Sequence, residues 1–423
     1  MEEIHVPGHD NSPSIEHILC PISYMSWFMG VGVVRPRRCS KFVTIIICIL
    51  NLVLCSYLLY LIQMYVFQYV TSGFDFVYNF VLSHTTYLVS AYYYSYHRIK
   101  YNKWPELMDK IKEFDRKIKR ETYINDQLVK VIETIAIFIT FAYFSLYTRL
   151  IYNFIEDSFA IEGVMIFLLY YIIIQSLINS FVFDIVVYVL YHRHQAINKL
   201  IGHLDELSDD PLIALKIRRI RELHNDICDL VAMVNDMHSI YLLLCSANCF
   251  FTITISLFHI SKFGIGVNAL TFAFFVMYLI TYAIQIGPIC WICTLVRQEF
   301  DKTKIIICTM TLKCKSIHFD IIKDRSNQMS SEVRPPLEYT DSEKNFDQSS
   351  SQNWNYVMEN AILLRKFLDQ NHVRNEINDF FIQLQHRQVS FTACGFFEMN
   401  NNLLCKFIGI TVTYLVIFLQ FSS

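Results

Sequence analysis

Charge is scarce in this chain. Of 423 residues, 17% are Asp, Glu, Lys or Arg, whereas 54% are hydrophobic and 15% aromatic. A soluble protein of this length needs a charged surface, so the balance points to a polytopic membrane protein. Glycine is scarce too: there are eleven, and no Gly-rich loop to cradle a phosphate. No Asn-x-Ser/Thr sequon with a permitted middle residue occurs, which fits a protein that exposes little outside the cell. The first 20 residues, MEEIHVPGHDNSPSIEHILC, are polar and acidic, with neither a signal peptide nor a myristoylation pattern. Residues 1–41 are therefore expected to be an unprocessed cytosolic tail. The thirteen cysteines are scattered singly, mostly within apolar runs (Cys48, Cys55, Cys245, Cys249, Cys290, Cys293, Cys405), so no structural disulfide is expected. Cys290 and Cys293 form a CxxC with no second pair at ligand spacing and read as buried thiols. His192 and His194, in YHRHQ, lack a third ligand and read as a snorkelling basic cluster. No enzyme chemistry, metal, cofactor or nucleic-acid partner is expected.

Apolar runs dominate what remains. A helix needs ~20 apolar residues to cross a bilayer. Seven stretches qualify: Phe42–Tyr65, Phe74–Tyr96, Val129–Ile151, Val164–Tyr191, Ile240–Ile260, Leu270–Leu295 and Leu403–Phe421. Backbone groups in lipid must pair internally, so each is expected to be helical despite many β-branched residues.

Lys and Arg set the orientation. The N-terminal tail has four, the connection 66–73 none, 97–128 nine, 152–163 none, 192–239 six, 261–269 one, and 296–388 thirteen. The alternation puts the N-terminus in the cytosol and the C-terminus outside, the reverse of a G-protein-coupled receptor. The inner connections carry structure. In KWPELMDKIKEFDRKIKRETYINDQL (103–128), Leu107, Ile111, Phe114 and Ile118 recur at spacings of 4, 3 and 4, an amphipathic helix. LIALKIRRIRELHNDICDLVAMVNDMHS predicts a long helix running into the fifth span, after a turn at Asp209, Asp210 and Pro211. Residues 324–352 read as disordered, and helix is expected again over Val357–Leu384. The fold class is thus an all-α membrane protein of seven transmembrane helices with a helical cytosolic layer.

The chain finishes on TYLVIFLQF (413–421) and two serines. Thr413, Ile417, Gln420 and Phe421 share one helical face. An amide facing hydrocarbon is costly, and intramembrane polar groups usually face a bundle interior or water. A symmetric ring of identical helices encloses a pore where one helix cannot. Gln420 would then form a wet constriction between gating rings of Ile417 and Phe421.

TYLVIFLQF resembles the C-terminal TYxxxxxQF signature of insect gustatory receptors, relatives of insect odorant receptors. FTACGFFEMNNNLL (391–404) is similar to that family's segment preceding its last helix. The resemblance implies a tastant-gated, non-selective cation channel in the plasma membrane of sensory neurons. It implies a homotetramer, or a heteromer with related receptor subunits, whose last helices line a central pore. Thr413, Ile417, Gln420 and Phe421 are then the pore and gate. Residues 377–402 form the anchor half of the seventh helix and 403–423 its pore-lining half, with Gly395 at the joint for close packing or a bend. Residues 296–376 are the preceding cytosolic loop. Family pockets lie in the outer half of the bundle within 42–295. Here that half offers Tyr78, Ser83, His84, Tyr143, Tyr147, Phe167, Tyr170, Tyr171, Thr252, Thr254, Ser256, Phe275, Tyr278, Tyr282 and Gln285. Aromatic walls with a few hydroxyls suit a small organic tastant. Sugar-type members carry a glutamate where this sequence has Leu415, so a bitter or plant compound is the first expectation and a fructose-type sugar the second. Asp184 is expected to pair with a neighbouring helix. The alternative is a seven-helix transporter, or a metabotropic receptor signalling through a partner; Gly287-Pro288 is the one place resembling a broken transporter helix.

Overall fold

The computed structural model describes residues 15–30, 34–37, 39–69, 103–122, 124, 126–155, 160–204, 212–263, 269–331 and 371–422. The expected second span, with Tyr78, Ser83 and His84, lies outside them, as do the turn at 209–211 and residues 332–370.

The described chain is helical almost throughout. Its helices are α1 (Ile15–Ile18), α2 (Cys20–Phe28), α3 (Lys41–Tyr69), α4 (Lys103–Ile118), α5 (Gln127–Ile155), α6 (Ala160–Leu204), α7 (Ile213–Phe263), α8 (Ala269–Ser331), α9 (371–386) and α10 (Asn401–Ser422). Strands β1 (Thr392–Ala393) and β2 (Phe397–Glu398) make one small antiparallel hairpin before α10. Six of the seven expected spans fall on helices, and three of those helices run far beyond the apolar stretch. Among the described residues, four stretches are long and apolar enough to cross a membrane: Lys41–Leu58, Ile173–Leu204, Ile213–Phe258 and Leu279–Leu312. The α8 helix runs unbroken through Pro288, so Gly287-Pro288 does not interrupt a span. It continues to Ser331, so the first part of the stretch expected to be disordered is helical.

Contacts divide the chain into two compact units. The first comprises residues up to Arg193, Ile227–Arg297 and Val389–Ser423; the second comprises His194–Asp226 and Gln298–Gln388.

In the first unit α4 buries the stripe legible in its sequence: Leu107, Ile111, Phe114 and Ile118, with Trp104 and Met108. The helix stops at Ile118, short of the 103–128 expected, and α1 packs on it. The region expected to be an unprocessed cytosolic tail thus holds two docked helices. Ile15, Ile18, Leu19 and Ile22 are buried. The Ile22 N–H donates to Glu133 Oε1 at 3.1 Å, and Trp27 Nε1 donates to Thr44 Oγ1 at 3.0 Å.

Arg193 is 0% exposed. Its Nε and Nη2 donate to the two carboxylate oxygens of Asp115 at 2.9 and 3.1 Å, and Nη1 pairs with Asp126. A planar fork meeting a carboxylate on two bonds is what makes a buried guanidinium tolerable. The snorkelling reading of YHRHQ is thereby corrected: Arg193 and His194 are both fully buried. Burial leaves the Asp115 carboxyl above the usual carboxylate range, with Arg193 opposing the rise.

The second unit is built around His194. Its Nε2–H donates to Thr303 Oγ1 at 2.9 Å, because that hydroxyl itself donates to Asn198 Oδ1 at 2.5 Å. Asn198 Nδ2 donates to Glu299 Oε2 at 3.0 Å. The His194 ring stacks on Phe300 at 3.8 Å, and His224 meets Phe300 and Phe380 edge-on. Arg221 ties α7 to α9 through Glu376 at 3.1 Å and Asp379 at 3.5 Å. Burial, then Arg387 and Lys304, bring His224 down to about 4.

Candidate functional site

The last helix starts from a pinned platform. Thr392 lies opposite Glu398 and Ala393 opposite Phe397. Cys394 and Gly395 take φ of 52° and 76° between them, a turn that glycine enters without steric penalty. Nothing lies within 4 Å of where a Gly395 Cβ would sit. Backbone conformation, and not close packing, is thus the reason for this glycine. The stretch expected to be helical through 402 is broken here: α9 ends at 386 and the hairpin intervenes. Asn235 accepts from the Thr392 N–H at 2.7 Å, Arg297 pairs with Glu398, and Phe391 meets Phe183 edge-on. Asn400 then caps α10, its Oδ1 accepting from the Leu403 N–H at 2.9 Å, while the Asn401 N–H donates to Thr294 Oγ1.

One side of α10 packs on α7. Phe407 and Tyr414 both meet Phe250, at 5.7 and 6.2 Å, and the Thr254 hydroxyl reaches Thr411 Oγ1 at 3.4 Å. The rest of the helix is open. Ile408, Val412 and Val416 are 60%, 53% and 49% exposed. Thr413, Ile417 and Gln420 lie together on the exposed part, and the Thr413 hydroxyl bonds back to the Gly409 carbonyl at 2.9 Å. Phe421 is on the helix, but its side chain is outside the described residues. Lys406, which the sequence reading passed over, is also exposed on that side.

Behind α10 the bundle interior is polar. Gln285 Nε2 donates to Ser176 Oγ at 2.6 Å and meets Tyr241 OH at 3.2 Å. The Tyr241 hydroxyl also contacts Ser180 and donates to the Ser176 carbonyl at 3.0 Å. On another face of α6, Gln175 Nε2 donates to Asn51 Oδ1 at 2.6 Å and to the Met29 carbonyl at 2.7 Å. Spacings of four along α6 (Ser176, Ser180, Asp184) were the available signal for this seam, which the sequence reading missed. Asp184 does not pair as expected: neither carboxylate oxygen has a hydrogen-bond partner among the described residues. Among those residues no group of three His, Cys, Asp or Glu is placed to hold a metal ion.

The expected ligand residues are distributed as follows. Tyr143, buried, is hydrogen-bonded to Thr281. Tyr171 is half-buried, with its hydroxyl 3.5 Å from the Met29 carbonyl. Thr252 is half-buried; Thr254, Ser256, Tyr282 and Gln285 are buried. Thr254 uses its hydroxyl on the Phe250 carbonyl, at 2.8 Å, and on Thr411. Tyr147, Phe167, Tyr170, Phe275 and Tyr278 lie on helices, but their side chains are outside the described set.

A family model for the 7tm chemosensory receptors matches residues 19–320 and 356–423, most of the chain. The chain belongs to that family. Two Drosophila melanogaster proteins of this kind match over short segments. Gustatory receptor 2a is 44% identical over 46 residues, 11% of each chain, and gustatory receptor 28b is 39% identical over 51 residues, 12% of this chain and 11% of that one. The chain thus aligns with about a tenth of the length of these relatives. At the level of fold the likeness extends over nearly the whole receptor. The insect olfactory receptor OR5 from Machilis hrabei superposes with a TM-score of 0.63, covering 96% of this chain and 98% of that one at 14% identity. Its complex with eugenol gives 0.62, covering 96% and 97% at 13% identity.

Proposed function

We propose that this receptor is a gustatory, ligand-gated cation channel that does no enzymatic chemistry. Its N-terminus is cytosolic and its C-terminus outside. It sits in the plasma membrane of sensory neurons, and four copies surround a pore lined by α10. The observation that carries the reading is an inversion: α10 is apolar yet largely uncovered, and Thr413, Ile417 and Gln420 share its open face. A helix that presents an amide on its uncovered face within the membrane suits a ring around water better than a lone helix in lipid. Ile417 and Phe421 close the ring by dewetting, and Gln420 meets permeating ions.

The ligand is a small organic tastant held in the bundle of the same subunit, a bitter or plant compound first and a fructose-type sugar second. The eugenol complex of the fold relative supports a small organic occupant for such a bundle. Opening reaches the gate through the α7–α10 contact, where Thr254 and Phe250 meet Thr411, Phe407 and Tyr414. A transporter or a metabotropic receptor is the competing reading, and the unbroken passage of α8 through Pro288 speaks against the former.

Purified protein in a planar bilayer, challenged with a panel of plant compounds and sugars, tests the proposal. Ligand-evoked cation current is the expected result; ligand binding without current would transfer the case to a metabotropic receptor. Gln420→Ala should change conductance or ion selectivity and leave the half-maximal ligand concentration nearly unchanged.

A further inference from the structure

The open side of α10 carries a regular polar stripe. Lys406, Thr413 and Gln420 lie on it seven residues apart each time, with Asn402 one turn before Lys406 on the same face. All three are exposed. A seven-residue repeat stays on one face of helices that cross at the shallow angle usual in bundles, so it marks a seam directed at a common axis. The packed face of α10, defined by Leu403, Phe407, Thr411 and Tyr414, lies about a third of a turn round the helix from that stripe.

Lys406 is the only charged side chain from Met399 to the end of the chain. The nearest carboxylate in sequence, Glu398, is engaged by Arg297. Lys406 forms no ion pair among the described residues. Its Cα lies roughly 10 Å along the helix from that of Thr413, toward the hairpin.

We propose that Lys406 lines the ion path as a basic ring at its inner mouth and sets its charge selectivity. The proposal rests on the channel reading above. Repulsion scales with the charge of the ion. A ring of ammonium groups in a wet vestibule therefore penalises calcium more than sodium and lowers the conductance for both. Salt screens the effect, so it is largest at low ionic strength.

The test is single-channel recording of the full-length receptor with Lys406→Gln and Lys406→Glu. Conductance at low salt should rise roughly twofold for Gln and up to about fivefold for Glu. Calcium permeability relative to sodium should rise in the same order, with the half-maximal ligand concentration unchanged. Lys406→Cys adds a rescue. A cationic methanethiosulfonate should restore the low conductance and an anionic one should raise it further, with the unsubstituted protein treated in parallel to read the native thiols. Ligand-evoked current with ordinary conductance and selectivity in Lys406→Glu would overturn the proposal and assign the lysine to the lipid headgroups, where long basic side chains also reach. Absence of current from the unsubstituted protein would instead overturn the channel reading on which it stands.

Discussion

Helices α6 and α10 are both apolar enough to be taken for membrane segments, and their surroundings are opposite. Along α6, Gln175, Ser176, Asn179, Ser180, Asp184 and Arg193 are buried in the chain's own fold. Along α10, the aliphatic Ile408, Ile410, Val412 and Val416 are open, and Thr411 is the buried polar group. In water such a pattern would be inside out. In lipid it is the expected one, since hydrocarbon accepts aliphatic side chains freely and polar groups need partners. The difference teaches that α6 holds one subunit together, whereas α10 is finished only by what surrounds it.

The largest expected effect is at α6. Arg193→Met leaves the buried Asp115 and the half-buried Asp126 without their cation, and thermal unfolding in detergent should show a loss of about 3–5 kcal/mol. Adding Asp115→Asn and Asp126→Asn to that variant should recover much of the loss. A deficit that stays would mean that packing, not charge, dominates at Arg193.

Gln285→Leu should cost about 1–2 kcal/mol in the same assay, because Ser176 and Tyr241 lose their donor in the seam. Thr254→Val at the α7–α10 contact should cost under about 1 kcal/mol of stability. Its effect should appear in gating, as a shift in the ligand concentration for half-maximal current. If Thr254→Val unfolds the protein as readily as Gln285→Leu, the contrast between a buried α6 seam and an uncovered α10 fails.

The second unit adds a pH dependence of known sign. His224 is held at about 4, below the ordinary histidine value of 6.5, so the fold favours its neutral form. Its contribution is complete above about pH 6.5 and is lost as pH falls toward 4. Hydrogen exchange in α7 and α9 should accelerate over that window, and His224→Phe should flatten the dependence.

Much of this architecture was legible in the sequence for plain reasons. Leu107, Ile111, Phe114 and Ile118 sit at helical spacing and are all buried, and hydropathy located six of the described helices. What escaped were features set by tertiary context. Arg193 looked like a surface cation because a sequence does not show that Asp115 and Asp126 converge on it. The first helices looked like tail because Glu133 and Thr44, their partners, are distant in the chain. FTACGFFEMN reads as a continuation of helix until the positive φ of Cys394 and Gly395 makes it a hairpin. The 4-residue spacing of Ser176, Ser180 and Asp184 was visible, but no rule of spacing names Tyr241 and Gln285 as the groups across from the two serines, or leaves the Asp184 carboxylate without a partner among the described residues.

A density map of the assembled receptor in lipid tests the central claim most directly. The account predicts four copies of α10 around one axis, with Thr413, Ile417 and Gln420 turned toward it and Val412 and Val416 turned away. An α10 on the outer rim, with Gln420 against lipid and far from any symmetry axis, would contradict it.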